Sequence, residues 1–488
     1  MAMIRAVTRL PLALSVAALV LLVAAALRLP LRPHGDAGEY LLMLESWHRH
    51  HSPEVQPQDR ESLRGLLARE GLAIEEDRVL PNYHAGRDGR LYAYHFWAYS
   101  LAGVPARRLL EARGLSPLRA LPVTNALLFG LALVAVALLP WTGARRLALG
   151  GLLLFSPALG FLMWPHPEVF TFGLVTLALV LAARGAHAAA VLAAALASLQ
   201  NPPLVLLVGM VWAAAALAAW RKKRLGTALS ATLAALPGLL PAAFFQWQFG
   251  VFNLSVRPSE AAESLSALRA LDLAIDPNLG LLPHAPLVLL LAVVAALGAL
   301  RSRRAMPALL VLVLLPLLAF ATTANSNWNN DTAGPSRYVV WMLPILAVVA
   351  AGELALGPTR PLGRAAGWAL ALAVAGQAAA VGARGGPLAV SDFLEHSRSA
   401  RLVLDHRPSL YRPAPEVFVE RTLHHEGPVD GPVVYRDAAN RCRKAWLQWR
   451  HAEALVAQCG EPPGPEGARV RAHAGQRETK RDWTYVDY

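Results

Sequence analysis

The residues best suited to chemistry stand in the stretch that runs from His34 through Gly35, Asp36, Ala37, Gly38, Glu39 and Tyr40 to Trp47. Asp36 and Glu39 are two carboxylates three positions apart, just past the end of the first long apolar run. A carboxylate so placed can accept a proton from a hydroxyl or hold a cation. From Tyr40 on, Tyr40, Met43, Leu44 and Trp47 recur at helical spacing and share one face. A short helix with that face, aromatic at both ends, lies in a membrane interface rather than across it. Asp36 then falls at its N-terminus, where backbone N–H groups and the helix dipole favour a carboxylate. The same Asp-x-x-Glu spacing is that of an N-cap with its capping-box partner. Cap and chemistry are both open readings, and one Asp can serve both.

Other polar residues interrupt the apolar pattern at a few places. The segment after Trp47 carries Asn82, Tyr83, His84, Tyr94 and His95; further on come Trp164-Pro-His-Pro-Glu168, Gln200-Asn201-Pro-Pro, and Asn325 through Asp331 to Arg337 and Tyr338. Each has a plain alternative. Glu168 can complement a helix dipole, His95 can be a hydrogen-bonded structural residue, and Asp331 reads as a loop residue. Arg337 can anchor at lipid headgroups, although a fixed guanidinium also suits a phosphate.

These residues must be held by membrane-spanning elements. The 488 residues are 55% hydrophobic and 16% charged, with a mean hydropathy of +0.38. Apolar runs of about 20 residues separated by Arg-rich or Pro-rich breaks predict an all-α polytopic membrane protein of about eleven transmembrane helices. They fall near 8–27, 119–140, 146–163, 168–184, 186–200, 203–220, 226–246, 284–300, 305–323, 338–357 and 363–383. The net charge of +13 would suggest nucleic acid in a soluble chain, but it sits in loops between apolar segments, where it sets orientation; nucleic acid is not an expected partner. The first run lacks a small-x-small cleavage site after it and reads as an uncleaved anchor.

The segment 91–106 decides the topology. Treated as interfacial, with the N-terminus cytoplasmic, it leaves Arg145, Arg146, Arg184, Arg221 to Arg224, Arg301, Arg303, Arg304, Arg360 and Arg364 on the inside. Arg107, Arg108, Arg113 and Arg119 then stay outside, at lipid headgroups. Residues 1–384 form the membrane domain, with 28–118 one long outer loop carrying two interfacial helices, 37–49 and 91–106. Residues 385–488 form a small soluble extracytoplasmic domain with a helix around 437–457. Cys442 and Cys459 are near enough to pair in an oxidising compartment.

The order of these landmarks resembles the GT-C superfamily of integral-membrane glycosyltransferases, of the protein mannosyltransferase and aminoarabinose transferase type. Gly35-Asp-Ala-Gly-Glu-Tyr-Leu-Leu42 is similar to the first-loop motif of bacterial members. Tyr94-His-Phe-Trp-Ala-Tyr-Ser-Leu101, Trp164-Pro-His-Pro-Glu168 and Gly334-Pro-Ser-Arg-Tyr338 look like later landmarks, and the resemblance covers roughly residues 8–357. It implies a GT-C-like helix bundle in the inner or plasma membrane, and an inverting transfer of sugar from a polyprenyl-phosphate-type carrier to a glycan, lipid or protein acceptor. It implies Asp36 as base with Glu39 beside it, Arg337, His95, Tyr94, Tyr83 and His34 on the substrates, and a divalent metal (Mg or Mn) on Asp36, Glu168 and His166. Where some members have a second adjacent acid, this chain has Ala37. Two rival readings are a transporter or flippase for a lipid-linked glycan and a non-catalytic envelope assembly protein. Transport calls for polar residues at mid-membrane depth, whereas the runs here are nearly all Ala, Leu and Val.

Overall fold

The computed structural model of the chain describes residues 2–72, 83–254, 265–325, 327–328, 334–354, 361–383, 393–473 and 483–488. It is mostly helical and divides into two compact units. One comprises Met1–Ser266, Ala285–Asn325 and Arg337–Ala389, the other Ala267–His284, Ser326–Ser336 and Val390–Tyr488. The second unit thus draws two inner segments to the tail.

In the first unit, seven described helices are long and apolar enough to cross a membrane: Arg9–Arg28, Pro117–Ala137, Pro202–Arg221, Leu225–Phe249, Ala305–Thr322, Arg337–Leu354 and Gly363–Ala383. Their outward side chains are large and apolar, with Leu225 83%, Trp368 77% and Trp220 75% exposed. Such surfaces suit lipid rather than water. Four of the expected spans are shorter helices here: Gly143–Leu154, Glu168–Ala183, His187–Ser198 and Pro286–Arg301. A 12-residue helix such as Gly143–Leu154 runs only about 18 Å at 1.5 Å per residue, against about 30 Å of hydrocarbon. Hydropathy there also reports burial in protein, because Val169, Phe172, Val175 and Ala178 are almost wholly enclosed.

The first span, α1 (Ala2–Arg28), leads into a loop built of α2 (Ala37–His50), α3 (Pro57–Arg69), a hairpin of β1 (Tyr83–Ala85) and β2 (Leu91–Ala93), and α4 (Ala98–Ala112). The expected helix at 91–106 is therefore two things. Its first residues are a strand paired in register Tyr83–Ala93, and its helix starts at Ala98 and runs six residues further than expected, to Ala112. Three residues of β2 alternate with the pleat, too short a run for periodicity to separate from a helical turn.

Two of the arginines expected at lipid headgroups are engaged elsewhere. Arg107 is 3% exposed and its Nε donates to Glu45 Oε1 at 2.7 Å, tying α4 to α2. Arg119 Nη1 donates to the carbonyls of Ala26 and Leu29 at 3.2 and 2.7 Å, filling acceptors at the end of α1.

The second unit is not all-helical. A three-stranded antiparallel sheet, β3 (Val433–Arg436), β4 (Cys442–Gln448) and β5 (Trp483–Asp487), separates two apolar cores. Ala445 and Leu447 face one with Leu455, Val470 and Val486, while Phe418, Val433 and Leu404 fill the other. The helix expected at 437–457 is thus strand β4 followed by a helix from Ala452 to Cys459. Lys444 is wholly buried and paired with Asp487 and the Pro408 carbonyl. A disulfide joins Cys442 to Cys459.

Candidate active site

The chain leaves α1 and turns at Gly35, whose φ of +53° is a conformation only glycine adopts without strain. That turn is pinned to the segment before helix Glu168–Ala183. Arg32 N–H donates to the Met163 carbonyl at 3.3 Å, and the Trp164 indole donates to the His34 carbonyl at 3.0 Å. Asp36 and the Trp164–Glu168 stretch are thereby brought together across the sequence.

Asp36 occupies the residue before α2, but its side chain caps nothing. It points instead at three nitrogens. Its Oδ2 lies 3.4 Å from Arg337 Nη1, 3.7 Å from His166 Nε2 and 3.9 Å from His95 Nε2. Glu39 is likewise absent from any cap. Its Oε2 meets His95 Nδ1 at 2.9 Å and its Oε1 accepts the His95 backbone N–H at 2.8 Å. His166 repeats the pattern, with Nδ1 at 3.5 Å from Glu168 Oε1. Each imidazole therefore has a carboxylate behind it and turns its Nε2 toward Asp36.

Packing holds both rings in place. Trp164 stacks on His166 at 3.8 Å with 6° between planes. Tyr40, 1% exposed, presents its ring edge-on to His166 at 5.2 Å and lies 5.4 Å from His95. Tyr40 comes from the apolar face of α2, so the periodicity that makes the helix amphipathic also supplies the wedge between the two histidines.

The electrostatics follow from this enclosure. Burial pushes the Asp36 carboxyl up, but His95, His166 and Arg337 outweigh it and hold the group well below the ordinary carboxylate range. Burial disfavours the charged His95, yet Glu39 and Asp36 prevail and raise it above an ordinary imidazole. Asp36 is accordingly a committed anion with cationic neighbours.

His95, His166, Glu168 and Arg337 line one cavity of about 110 Å³, together with Tyr40, Gln200 and Trp341. The remaining expected substrate residues stand outside that lining. Tyr83 sends its hydroxyl to the Glu39 carbonyl at 3.4 Å, with the Arg60 guanidinium over its ring. Tyr94 packs edge-on against His95 at 5.2 Å. His34 is exposed and contributes its backbone carbonyl. All three buttress the site rather than face the cavity. Asn82 and Asp331 lie outside the described residues. Beyond the expected site residues, the cavity takes in Tyr40, Gln200 and Trp341, with Trp164 stacked behind His166; Tyr40 stands on the apolar face of α2, Trp164 and Gln200 in polar breaks of the sequence, and Trp341 inside an apolar run that gave no signal.

A metal has a donor set available. Asp36, Glu39 and His95 each place a ligand atom within 4.8 Å of the others. Since His95 engages both Glu39 oxygens, Asp36 with Nε2 of His95 and of His166 is the better set. The nitrogen–oxygen separations of 3.7 and 3.9 Å exceed hydrogen-bond reach and approach the roughly 3–3.5 Å between two ligands of one ion with bonds near 2.1 Å. Glu168 stands on the far side of the His166 ring from Asp36. Two imidazoles and a carboxylate suit an ion such as zinc or manganese better than magnesium.

No family model, curated protein or solved structure matches the chain.

Proposed function

We propose that the chain is a membrane glycosyltransferase, moving a sugar from a polyprenyl-phosphate-type carrier to an acceptor hydroxyl at the outer face of the membrane. The observation that supports this most is convergence. Asp36, Glu39, His95, His166, Glu168 and Arg337 come from four separate stretches of sequence, three of them meet Asp36 within 4 Å, and four line one cavity. The outer side follows from the basic residues of the opposite loops.

In this reading Arg337 and protonated His95 hold the carrier's phosphate. The acceptor oxygen bonds to the anomeric carbon as the bond from that carbon to the phosphate oxygen breaks. The leaving lipid phosphate gains a negative charge, which the guanidinium and imidazolium stabilise where it develops. The acceptor's proton passes to Asp36, which is ionised at any physiological pH. Its weak basicity suffices because the hydroxyl becomes strongly acidic once its oxygen is bonded to carbon. Glu39 acts through His95, fixing which nitrogen faces Asp36, and Glu168 does the same for His166. A divalent metal, held by Asp36 with neutral His95 and His166, would take the place of the imidazolium and add positive charge at the leaving phosphate.

The reading is tested in cells lacking the chain. Their lipid extracts should accumulate a polyprenyl-phosphate-linked sugar, cleared by the wild-type chain and not by Asp36→Asn. Unchanged carrier lipids in the deletion, or clearance by Asp36→Asn, would defeat it.

A further inference from the structure

The cavity beside Asp36 carries buried polar atoms for which the fold supplies no partner. Among the described residues, Gln200 Nε2, Trp341 Nε1 and Glu168 Oε2 make no hydrogen bond, and all three residues line that cavity. Trp341 is 0% exposed, Glu168 2% and Gln200 8%. A buried polar atom left unpaired is costly, and folded proteins tolerate few of them. Three on the wall of one cavity, with both ring nitrogens of His166 also unbonded there, indicate a partner that arrives from outside. The Gln200 amide is already oriented, because its Oε1 accepts the Tyr99 backbone N–H at 3.0 Å. Its NH₂ is therefore the half left over.

We infer that this wall is the subsite for a single neutral, polyhydroxylated sugar ring, with Gln200 and Trp341 donating to its oxygens and Glu168 accepting from a hydroxyl. The inference rests on the glycosyl-transfer reading and names the sugar class within it. Size excludes more than one ring, since about 110 Å³ is well below the roughly 300–1,000 Å³ of sites for larger ligands. Donor and acceptor types support hydroxyls, the groups that both give and take hydrogen bonds. Asn201 adds a further carboxamide to the same lining, and Tyr40, Tyr338 and Trp341 offer aromatic surface to ring C–H groups. A ring bearing a carboxylate would face the buried Glu168. A ring bearing an ammonium would face the Arg337 guanidinium across the same narrow space. A site built to pair hydroxyls discriminates strongly against a ring that lacks them, because its own polar atoms are again left unpaired.

The test is direct binding to the purified full chain in lipid nanodiscs. The probes are a short-chain polyprenyl phosphate, bare or carrying a neutral hexose, an amino sugar or a uronic acid. The wild type should bind the hexose lipid more tightly than the bare lipid and the two charged forms. Gln200→Met and Trp341→Phe should each weaken the hexose lipid about three- to tenfold, leaving bare-lipid affinity within about twofold. Gln200→Met carries the test alone should Trp341→Phe fail to insert. Hexose-lipid affinity unchanged in both variants, a hexose that adds nothing to the bare lipid, or tighter binding of an amino or uronic form overturns the inference while bare-lipid binding still stands. A wild type that binds no form of the lipid overturns the glycosyl-transfer reading itself, and the sugar assignment with it.

Discussion

Helices α2 and α3 lie in the same loop and open with the same kind of signal, a polar residue followed three positions later by an acid. At α3 the signal is spent on the helix. Gln56 N–H donates to Asp59 Oδ2 at 2.9 Å, and the Gln56 side chain accepts from the Asp59 backbone. Asp59 is also held by His50 Nε2 at 2.9 Å. At α2 neither carboxylate caps; Asp36 turns to Arg337 and two histidines, and Glu39 to His95. A capping box satisfies orphan N–H groups and is worth about 1 kcal/mol, so α2 forgoes a stabilisation that α3 takes. The contrast separates a carboxylate that serves its own helix from one turned to residues far along the chain.

The contrast breaks most sharply at the two acids themselves. Asp36→Asn should lower sugar transfer by about 10²–10⁴-fold while the purified chain keeps its fold, read by transfer assay beside thermal unfolding. Next in size is Arg337→Ala, which should weaken the bare polyprenyl phosphate by about 10–100-fold, the value of a charge-assisted contact, measured by titration. An affinity equal to wild type would remove Arg337 from the phosphate site.

Glu39→Gln sharpens the comparison through pH. Glu39 and Asp36 raise His95, so its proton is held below the raised value and lost as pH climbs through it. Neutralising Glu39 lowers that value, so the alkaline limb of the rate profile should move to lower pH. The plateau should fall by less than about tenfold, as suits a residue acting through another. The stability this pair contributes has the same sign, present in full below about pH 6.5 and lost as pH rises through the folded value. An unmoved alkaline limb would exclude His95 as the titrating group. Smallest is Asp59→Ala, which should cost about 1–2 kcal/mol of stability and leave transfer near wild type, the reverse of Asp36→Asn.

Much of the site was legible in residue types. The apolar runs announced a membrane protein, and the polar breaks at Asp36, His95, Trp164–Glu168 and Arg337 marked the segments that the fold brings together. The pairings were not legible, because they are made across the chain. Arg107 reads as a headgroup anchor until its partner Glu45 is seen, 62 residues away. Glu39 reads as a second acid beside Asp36, but the residue that takes both its oxygens, His95, lies 56 residues away. The tail sheet was hidden for another reason. In β4 the alternation is carried by only Ala445 and Leu447 on one face, with Lys444 buried on the other by pairing with Asp487.

The central claim is that Asp36 takes a proton while sugar leaves a lipid phosphate. Purified chain in nanodiscs, given a radiolabelled polyprenyl-phosphate hexose and an extract of envelope acceptors, should release bare polyprenyl phosphate in step with label appearing in the acceptor. The Asp36→Asn chain, still binding the donor, should do neither. Equal release by both chains, or donor moved across the bilayer with its sugar–phosphate bond intact, would contradict the account.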